Sequence, residues 1–396
     1  MASEWKTYKI KDVLSYVVDN RGKTPPIQDE GFELLEVNAI SATEKFPQYQ
    51  LVRKHVSEHV YNTWFRSGHP QIGDILVPTV GTLGAVSYVN KSNCCIAQNL
   101  IALRANKDIC DCDYLYYVLR NPNTRMRLLN LNIGGVQPSI KVPHLMDLEI
   151  NLPDIDTQKK ISSILKTIDD KIYTNQKIND NLYEMVNAYY ASLFKDDECE
   201  MTTIGNYAEH IYSGGTPTTS NAAYWDGAFG WFSSGETRNR FVTSTEKTVT
   251  QAGIDNSSTK LAVKHDIVMA SAGQGFTRGQ TSMLLIDTYV NQSVIVIHAD
   301  RNILPYLFWN LANRYEELRA ISDSSSIRGS LTTKMIAAFE IPLANKESLQ
   351  AFSDFSWSVI PQIENNLLEN ERLVALRDTL LPKLMSGEIN VSNIQL

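Results

Sequence analysis

Apolar residues recur at alternating steps of four and three along a stretch in the middle of the chain. The positions that follow this spacing are Ile161, Leu165, Ile168, Ile172, Asn175, Asn179, Leu182, Val186, Tyr189 and Leu193. The spacing is the heptad repeat of a coiled-coil seam, interrupted by two asparagines. Pro153 precedes the seam, and Asp156 is a candidate N-cap. The pattern predicts one long helix over roughly residues 156–194.

A second stretch near the end of the sequence repeats the pattern less regularly. Its seam positions are Phe352, Ser356, Val359, Ile363, Asn366, Asn370, Leu373, Arg377, Leu380 and Leu384. Ser356 and Arg377 depart from the apolar pattern, and Pro361 should kink the helix because it removes a backbone hydrogen bond. The pattern predicts a second helix over roughly residues 347–385.

Both predicted helices carry the motif I-x-x-N-x-x-x-N-x-x-L, at an offset of 191 residues. Its asparagines are either solvated or buried polar residues that fix the register of the two helices. In an antiparallel pair aligned at the helix midpoints, Asn175 faces Asn370 and Asn179 faces Asn366. The side-chain amides of each pair can then hydrogen-bond to each other. A slip of one heptad would place asparagines against leucines, which predicts that these four residues lock the register.

Outside the helices, short β-branched and aromatic runs such as DILVPTV and SVIVIHA alternate with Gly, Pro and Asn. These runs predict strands. DYLYYVLRN (residues 113–121) and PYLFWNLANRYEELRA (residues 305–320) each predict one short helix. Asn121, Pro122 and Asn123 are interpreted as a turn that ends the first of these helices. The fold class is therefore mixed α/β (α+β), with globular domains separated and joined by two long antiparallel helices.

The chain is a tandem duplication. GDILVPTVGTLG from Gly73 resembles HDIVMASAGQGF from His265, and GKTP at Gly22 matches GGTP at Gly214, both at an offset of 192 residues. DYLYYVLRN and PYLFWNLAN repeat the same offset, and IAQNLIALRAN resembles VNQSVIVIHAD 194 residues later. Each half therefore comprises one globular domain and one long helix. The predicted segments are residues 1–153, 154–199, 200–344 and 345–396.

The net charge of −7 is unevenly distributed. The four segments carry net charges of +1, −3, −2 and −3, so the two helical segments hold most of the excess negative charge. Acidity does not exclude a nucleic-acid partner, because only the surface that faces it must be positive.

Motifs for catalysis are missing from the sequence. There is no G-x-x-x-x-G-K-[ST] phosphate loop and no Asp/Asn-Pro-Pro-Tyr/Phe run of an amino-methyltransferase. The seven histidines and five cysteines do not show metal-ligand spacing, so we expect no metal site. Asp154, Asp156 and Lys159 lack the spacing of a nuclease cluster and suit a helix N-terminus. Neither a signal peptide nor a long apolar run is present, which predicts a soluble, cytoplasmic protein with no membrane partner.

The arrangement resembles the DNA specificity subunits of type I restriction–modification enzymes over nearly the whole chain. Family-like stretches are TYKIKDVLSYVVDNRGKTPP, IYSGGTP followed by GWFSSGE, LPDIDTQKKISSILKTIDDKI and LRDTLLPKLMSGEI. The resemblance implies that residues 1–153 and 200–344 are target-recognition domains, each reading one half of a bipartite site in double-stranded DNA. The long helices would set the spacer and dock two methyltransferase subunits, and nuclease–translocase subunits would join them.

The resemblance implies no cofactor in this chain, because the partner subunits bind S-adenosylmethionine and methylate a flipped adenine. Bases are read by arginine and by amide side chains on loops, and the GKTP and GGTP turns are either purely structural or contact phosphates. The candidate DNA-binding residues are Arg21, Lys23, Thr24, Asn38, Thr79, Thr82 and Gln137 in the first half, and Thr216, Thr218, Arg238, Asn239, Arg240, Gln274, Arg278 and Arg328 in the second.

Two alternatives stay open at this stage. Each candidate residue is alternatively a solvated loop residue or a phosphate contact. The whole chain is alternatively a structural or assembly protein whose two globular domains sit on a coiled coil and bind no DNA.

Overall fold

The computed structural model describes residues 5–194, 200–273, 276–324, 329–392 and 394. The chain divides into two compact units. Unit 1 comprises Met1–Tyr173 and Arg372–Leu396, and unit 2 comprises Thr174–Glu371. Each unit therefore combines one globular region with a part of both long helices, whereas the sequence segments separate the helices from the globular regions.

The strands of unit 1 form three sheets. A four-stranded antiparallel sheet has the order β2-β8-β5-β6, a three-stranded sheet has the order β4-β3-β7, and β1 pairs with β9. The strands are β1 (Lys6–Lys9), β2 (Leu14–Val18), β3 (Phe32–Leu35), β4 (His55–Val56), β5 (Ile75–Pro78), β6 (Ser87–Tyr88), β7 (Cys94–Ile96), β8 (Leu100–Ala105) and β9 (Glu149–Leu152). The chain enters the globular region through β1 and leaves it through β9, and the pairing of these two strands keeps both ends of the region together.

Four short helices of unit 1 precede the first long helix. They are α1 (Glu58–Thr63), α2 (Cys112–Arg120), α3 (Pro122–Asn130) and α4 (Val142–Met146). The side chain of Asn121 accepts a hydrogen bond from the amide of Asn123, so Asn121 ends α2 and caps α3. The turn expected at this point is therefore the junction of two helices. Helix α2 buries the run Tyr114–Leu119 in the main core of the unit.

The first long helix is α5 (Ile155–Leu193), 39 residues in length. The amide of Thr157 donates to Asp154 Oδ1 at 2.9 Å, so Asp154 is the N-cap and the prediction of Asp156 is wrong by two residues. Gln158, which is 1% exposed, accepts from the amide of Asp111 and donates to the carbonyls of Ile109 and Pro153. This side chain fastens the start of α5 to the start of α2.

Unit 2 repeats the pattern with larger sheets. A five-stranded sheet has the order β11-β19-β16-β17-β13, a four-stranded sheet has the order β14-β12-β18-β15, and β10 pairs with β20. The strands are β10 (Met201–Thr203), β11 (Ala208–Ser213), β12 (Trp225–Phe232), β13 (Phe241–Val242), β14 (Lys247–Val249), β15 (Lys260–Ala262), β16 (Ile267–Ala270), β17 (Thr281–Leu284), β18 (Thr288–Val290), β19 (Val294–Ala299) and β20 (Glu340–Pro342).

The helices of unit 2 include the start of the second long helix. They are α6 (Ile204–Tyr207), α7 (Gln251–Asp255), α8 (Leu304–Asn313), α9 (Tyr315–Ser324), α10 (Thr333–Ala337) and α11 (Lys346–Met385). The single helix expected over residues 305–320 is two helices, because the backbone of Arg314 leaves helical geometry and its side chain bonds to Glu317 and to the carbonyl of Glu340. Helix α11 runs through Pro361 without a break.

Aromatic rings dominate the core of unit 2. Trp309 is fully buried, and its ring stacks on Tyr183 of α5 at 5.7 Å and meets Phe352 of α11 edge-on at 5.8 Å. Tyr190 and Phe308 contact the same cluster of rings. Both long helices are thereby packed against the globular part of this unit.

Candidate nucleic-acid interface

Two loops of unit 1 emerge at one end of its four-stranded sheet. The last residues of β2 and β5, Val18 and Pro78, pair with Ala102 and Leu100 at the start of β8. We call this the loop end of the sheet. The GKTP turn follows β2, and the loop of residues 79–84 follows β5. The duplicated motifs of the sequence are therefore adjacent to the same end of one sheet.

Most first-half candidates are exposed. Lys23, Thr24, Thr82 and Gln137 lie on the surface of loops, and so do Arg21 and Asn38. Arg21 forms a bidentate pair with Asp19, with both N–O distances at 2.7 Å. This hydrogen-bonded guanidinium lowers the pKa of Asp19 from its ordinary value of 3.8. Asn38 donates to the carbonyl of Leu51 at 3.3 Å, so its amide is partly occupied within the protein.

Thr79 is placed differently from the other candidates. Its side chain is buried (2% exposed), and its hydroxyl donates to the carbonyl of Asn99 at 3.2 Å. Its backbone carbonyl accepts from the amide of Ile140 at 2.9 Å. Burial is incompatible with a direct base contact, so Thr79 is a structural residue that fastens the loop of residues 132–140 to the end of β5.

The same strand geometry recurs in unit 2. Ser213 at the end of β11 pairs with Ile295, and Ala270 at the end of β16 pairs with Val294, so their loops leave one end of the five-stranded sheet. Thr218 is exposed in the GGTP loop, whereas the hydroxyl of Thr216 is hydrogen-bonded to Gln292. Gln292 lies just before β19, and this contact closes the loop onto the sheet.

Arg238, Asn239 and Arg240 lie at the opposite edge of this loop end. They precede β13, which pairs in parallel with β17. Four inter-strand spacings separate β11 from β13, or roughly 19 Å. Arg238 pairs with Glu246, and the guanidinium of Arg240 lies 4.1 Å from the ring centre of Tyr183 on α5. All three residues are exposed.

A cavity of about 800 Å³ is lined by these three residues together with residues of both long helices. Asp180 and Glu184 of α5 and Glu371 of α11 are among the residues that line it. Glu371 Oε1 accepts hydrogen bonds from the hydroxyls of Thr243 and Ser244 at 2.7 and 2.9 Å. The lining is therefore mixed in charge, because Arg238 and Arg240 face these three carboxylates. The contacts to Tyr183 and Glu371 attach the edge strand to the helices.

Arg278 is also placed differently from a base-reading residue. Its side chain is 8% exposed, pairs with Asp323 of α9 and donates to the carbonyl of Gly329. A guanidinium held in this way fixes the β16–β17 loop against α9, which explains its burial and removes it as a direct contact. Gln274 and Arg328 lie outside the described residues.

The duplication repeats a buried, hydrogen-bonded carboxylate just before β5 and β16, at the end of each strand that is opposite to the loop end. Asp74 Oδ1 and Oδ2 accept from Arg104 at 2.9 and 2.8 Å, and Asp74 also caps the amide of Gln71. The corresponding Asp266 accepts from His298 Nδ1 at 2.6 Å and caps the amide of Val263. Burial raises the pKa of Asp266, while the hydrogen bond from His298 opposes this effect. Both carboxylates accept a hydrogen bond from a backbone amide of the turn that precedes a central strand.

The structure brings the four seam asparagines together in two pairs. Asn175 Nδ2 lies 2.9 Å from Asn370 Oδ1, and Asn366 Nδ2 lies 2.8 Å from Asn179 Oδ1. Asn175 is 0% exposed and Asn370 is 9% exposed. From the first pair to the second, the residue number increases along α5 and decreases along α11, so these two segments of unit 2 are antiparallel.

Sequence reasoning missed a basic surface in unit 1. Residues 114–146 contain no Asp or Glu, although they contain Arg120, Arg125, Arg127 and Lys141. Of these, the latter three are exposed. The side chain of Arg125 packs beside Gly84 of the loop after β5. The acid-free stretch of the sequence was the signal that would have indicated this surface.

Other kinds of site are not evident in the parts of the chain that the structure describes. Within residues 5–194, 200–273, 276–324 and 329–392, no three His, Cys, Asp or Glu side chains are grouped as metal ligands. Over the same ranges, no helix is both long and apolar enough to cross a membrane.

Comparison with known proteins agrees with this organisation. The family model for the type I restriction modification DNA specificity domain matches twice, at residues 2–184 and 197–370. The HindI specificity subunit of Haemophilus influenzae is 22% identical over 377 residues, covering 75% of this chain and 82% of the relative. The specificity subunit of EcoR124I/EcoR124II from Escherichia coli is 28% identical over 156 residues, 38% of each chain.

The fold is similar to a solved structure over nearly its whole length. The S subunit of a type I restriction–modification system from M. genitalium superposes with a TM-score of 0.57 at 17% sequence identity, covering 96% of each chain. The two matched domains span most of the sequence, and the repeated sheets and long helices are those that the resemblance implies. The chain therefore belongs to the family of type I restriction–modification DNA specificity subunits, and it carries two copies of the specificity domain.

Proposed function

We propose that this chain is the non-catalytic DNA-reading subunit of a type I restriction–modification complex. Residues 1–153 and 200–344 each read one half of a bipartite site in double-stranded DNA. The helical segments, residues 154–199 and 345–396, set the spacer and dock two methyltransferase subunits. The observation that carries the proposal is the repeated loop end, because both units present exposed polar loops at the same end of the corresponding sheet.

The two loop ends share a framework and differ in their side chains. VPTVGTLG in the first half corresponds to MASAGQGF in the second, while the buried carboxylates of Asp74 and Asp266, which precede β5 and β16 at their other end, are kept. A constant framework with different loops suits two readers of different half-sites, because direct readout depends on the side chains that reach base edges.

The long helices suit the role of a spacer. The 39 residues of α5 span roughly 58 Å at about 1.5 Å per residue, which exceeds one turn of duplex DNA. The Asn175–Asn370 and Asn179–Asn366 pairs would hold the helices in one register. A fixed register would keep the distance between the two readers constant.

The chemistry belongs to the partner subunits in this proposal. The methyltransferases would bind S-adenosylmethionine and modify a flipped adenine, and nuclease–translocase subunits would add cleavage. This chain would contribute DNA contacts and protein docking without a cofactor.

The proposal is tested by reconstitution. The chain is purified alone and with its methyltransferase, and transfer of labelled methyl groups from S-adenosylmethionine to DNA is measured. We expect transfer only from the complex, at adenines of a bipartite motif. Methyl transfer by the chain alone would contradict the non-catalytic role, and a complex without sequence preference would favour the assembly-protein alternative.

A domain exchange tests the assignment of half-sites. Residues 201–344 are replaced by those of another family member, and methylated adenines are mapped in genomic DNA. We expect one half of the motif to change while the other half and the spacer stay the same. The reciprocal exchange of residues 1–153 is the matched control and should change the other half.

A further inference from the structure

The loop of residues 132–140 in unit 1 is held in one shape by hydrogen bonds that its own backbone amides donate. Asn132 Oδ1 accepts from the amides of Gly134 and Ser139 at 3.0 and 2.9 Å, and the amide of Ile133 donates to the carbonyl of Ser139 at 2.9 Å. An asparagine that bonds to nearby amides is a common means of fixing a turn. The loop is therefore preorganised without help from its tip.

The same loop is fastened to the loop end of the sheet. The amide of Gly81 donates to the carbonyl of Pro138 at 2.9 Å, and the amide of Ile140 donates to the carbonyl of Thr79 at 2.9 Å. Val80 and Ser139 form an isolated antiparallel bridge. The tip of the loop consequently projects beside the residues that follow β5.

Two side chains at this tip are solvent-exposed. Val136 is fully exposed, and Gln137 beside it is also exposed. Gly134 and Gly135 precede them and Pro138 follows. An exposed valine on a rigid loop adds nothing to the protein core, so its apolar surface is available to a partner.

The surroundings of the tip are positively charged. Arg125 of α3 and Lys141 after the loop are exposed, and residues 114–146 contain no carboxylate. Arg127 is also exposed, but it donates to the carbonyl of Glu149 at 2.7 Å. Arg125 packs beside Gly84, which connects α3 to the loop that follows β5. A basic surface around a small apolar and amide tip is complementary to a duplex, with the cations placed for phosphates and the tip for base edges.

The chemistry of the two tip residues specifies a base pair. A glutamine amide bonds in a bidentate manner to N6 and N7 of adenine in the major groove, and a small apolar group packs on the 5-methyl group of thymine. Valine is too short to act as the wedge that longer side chains insert between base steps. We propose that residues 134–138 read A·T in one half-site, with Gln137 on adenine and Val136 on a thymine methyl group. This inference rests on the proposed function and adds to it the base class and the two reading residues.

The test uses the chain in complex with its methyltransferase and duplexes that carry the mapped motif. Each A·T pair of the half-site read by residues 1–153 is replaced in turn, thymine by deoxyuridine and adenine by 7-deazaadenine. For the wild type, we expect one adenine whose replacement weakens binding about tenfold. One thymine, in the same or a neighbouring pair, should respond roughly fourfold to loss of its methyl group.

The variants assign these effects to side chains. Val136→Ser should abolish the response to deoxyuridine because it removes both methyl groups, and Gln137→Ala should abolish the response to 7-deazaadenine. Gln137→Glu should shift the preference at that position towards a C·G pair, because glutamate accepts from N4 of cytosine. Gln71→Ala and Ile72→Ala are matched controls, since both residues are exposed but precede β5 at the opposite end of that strand.

Each outcome decides the proposal. Variants that bind specifically with unchanged base responses would overturn it, and so would a uniform loss of affinity for all sequences, which indicates a phosphate contact. A shift to C·G by Gln137→Glu supports it even if Gln137→Ala binds weakly. If the wild-type complex has no sequence preference, the proposed function itself fails, which is a distinct result.

Discussion

The guanidinium Nη1 of Arg377 lies 2.9 Å from Asp169 Oδ1, and side-chain exposure is only 6% for Arg377 and 3% for Asp169. Tyr117 of α2 donates to the other oxygen of Asp169 at 2.7 Å. Burial and the neighbouring carboxylate raise the pKa of Tyr117 far above its ordinary value, so the phenol remains a donor. The seam position at which an apolar residue was expected is thus occupied by a buried, hydrogen-bonded ion pair within unit 1.

Removal of one member of this pair should be costly. Arg377→Met leaves the Asp169 carboxylate buried without its counter-ion, so we expect a loss of about 3–5 kcal/mol in the free energy of unfolding. Asp169→Asn should also destabilise the protein, because it leaves the guanidinium buried. The measurement is denaturant-induced unfolding followed by circular dichroism.

The duplication supplies the matched control for this experiment. At an offset of 191 residues, Asp169 corresponds to Ile360 and Arg377 corresponds to Val186, and both of these residues are 0% exposed. The combined variant Asp169→Ile, Arg377→Val and Tyr117→Phe should recover most of the lost stability, since apolar replacement of a buried ion pair is often neutral or favourable. A combined variant no more stable than the single ones would contradict this explanation.

Replacing the asparagine pairs should raise the stability of the protein and loosen the register of the two long helices. Replacing Asn175, Asn179, Asn366 and Asn370 by leucine should raise the melting temperature, because it removes buried amides from an apolar seam. The same variant, in complex with the methyltransferase, should methylate sites whose spacers are one base pair longer or shorter more readily than the wild type does.

A single replacement should have the opposite effect on stability. Asn370→Leu leaves the buried amide of Asn175 with fewer partners and should cost about 1–3 kcal/mol. Asn181→Leu is the control, because Asn181 is an exposed residue of α5.

If the fourfold leucine variant keeps the spacer preference of the wild type, the asparagines do not set the register.

Arg21→Ala should separate DNA binding from folding. Loss of a phosphate contact would weaken binding to all sequences alike and reduce the salt slope by about one. The pair with Asp19 is partly exposed, so the stability cost at neutral pH should stay below about 1 kcal/mol.

The pH dependence of that small cost has a defined sign. The pKa of Asp19 is lowered in the folded state, so the pair contributes above the ordinary value of 3.8 and its contribution disappears as the pH falls through the lowered pKa. The stability difference between wild type and Arg21→Ala should therefore vanish in acid. A difference that persists at low pH would show that Arg21 stabilises the fold by another means.

Arg278→Ala should behave as a folding variant. Its pair with Asp323 and its bond to Gly329 predict a loss of about 1–3 kcal/mol in stability, with base preference unchanged in the molecules that fold. Arg238→Ala is the comparison, since the side chain of Arg238 is 56% exposed. Arg238→Ala should retain stability and reduce affinity for DNA, and a change of half-site preference by Arg278→Ala would contradict the assignment.

Periodicity and duplication predicted the larger features of the fold. The long helices over roughly 156–194 and 347–385 are observed as Ile155–Leu193 and Lys346–Met385, because a seam of apolar residues fixes both their length and the face that packs. The mixed α/β class is confirmed. The pairing of Asn175 with Asn370 followed from the offset of 191 residues together with an antiparallel arrangement.

The individual site residues were less predictable, for a physical reason. A sequence reports which side chains can hydrogen-bond, but not whether the fold has already supplied their partners. Thr79 and Arg278 have the residue types of a DNA contact, yet Asn99 and Asp323 occupy them. Arg125 and Lys141 were missed because single basic residues are unremarkable, and only the absence of carboxylates around them is informative.

The aromatic cluster around Trp309 allows unit 2 to be followed by tryptophan fluorescence. Of the six tryptophans in the chain, Trp225, Trp231, Trp309 and Trp357 belong to unit 2, whereas the fully buried rings of α2 in unit 1 are tyrosines, Tyr114, Tyr116 and Tyr117. Emission from a buried indole shifts to longer wavelength when water reaches it. Tryptophan emission excited at the red edge of absorption will therefore follow mainly the opening of unit 2, while near-ultraviolet tyrosine signals follow both units, because each holds nine of the eighteen tyrosines. One sample then reports whether the two units melt together or in sequence.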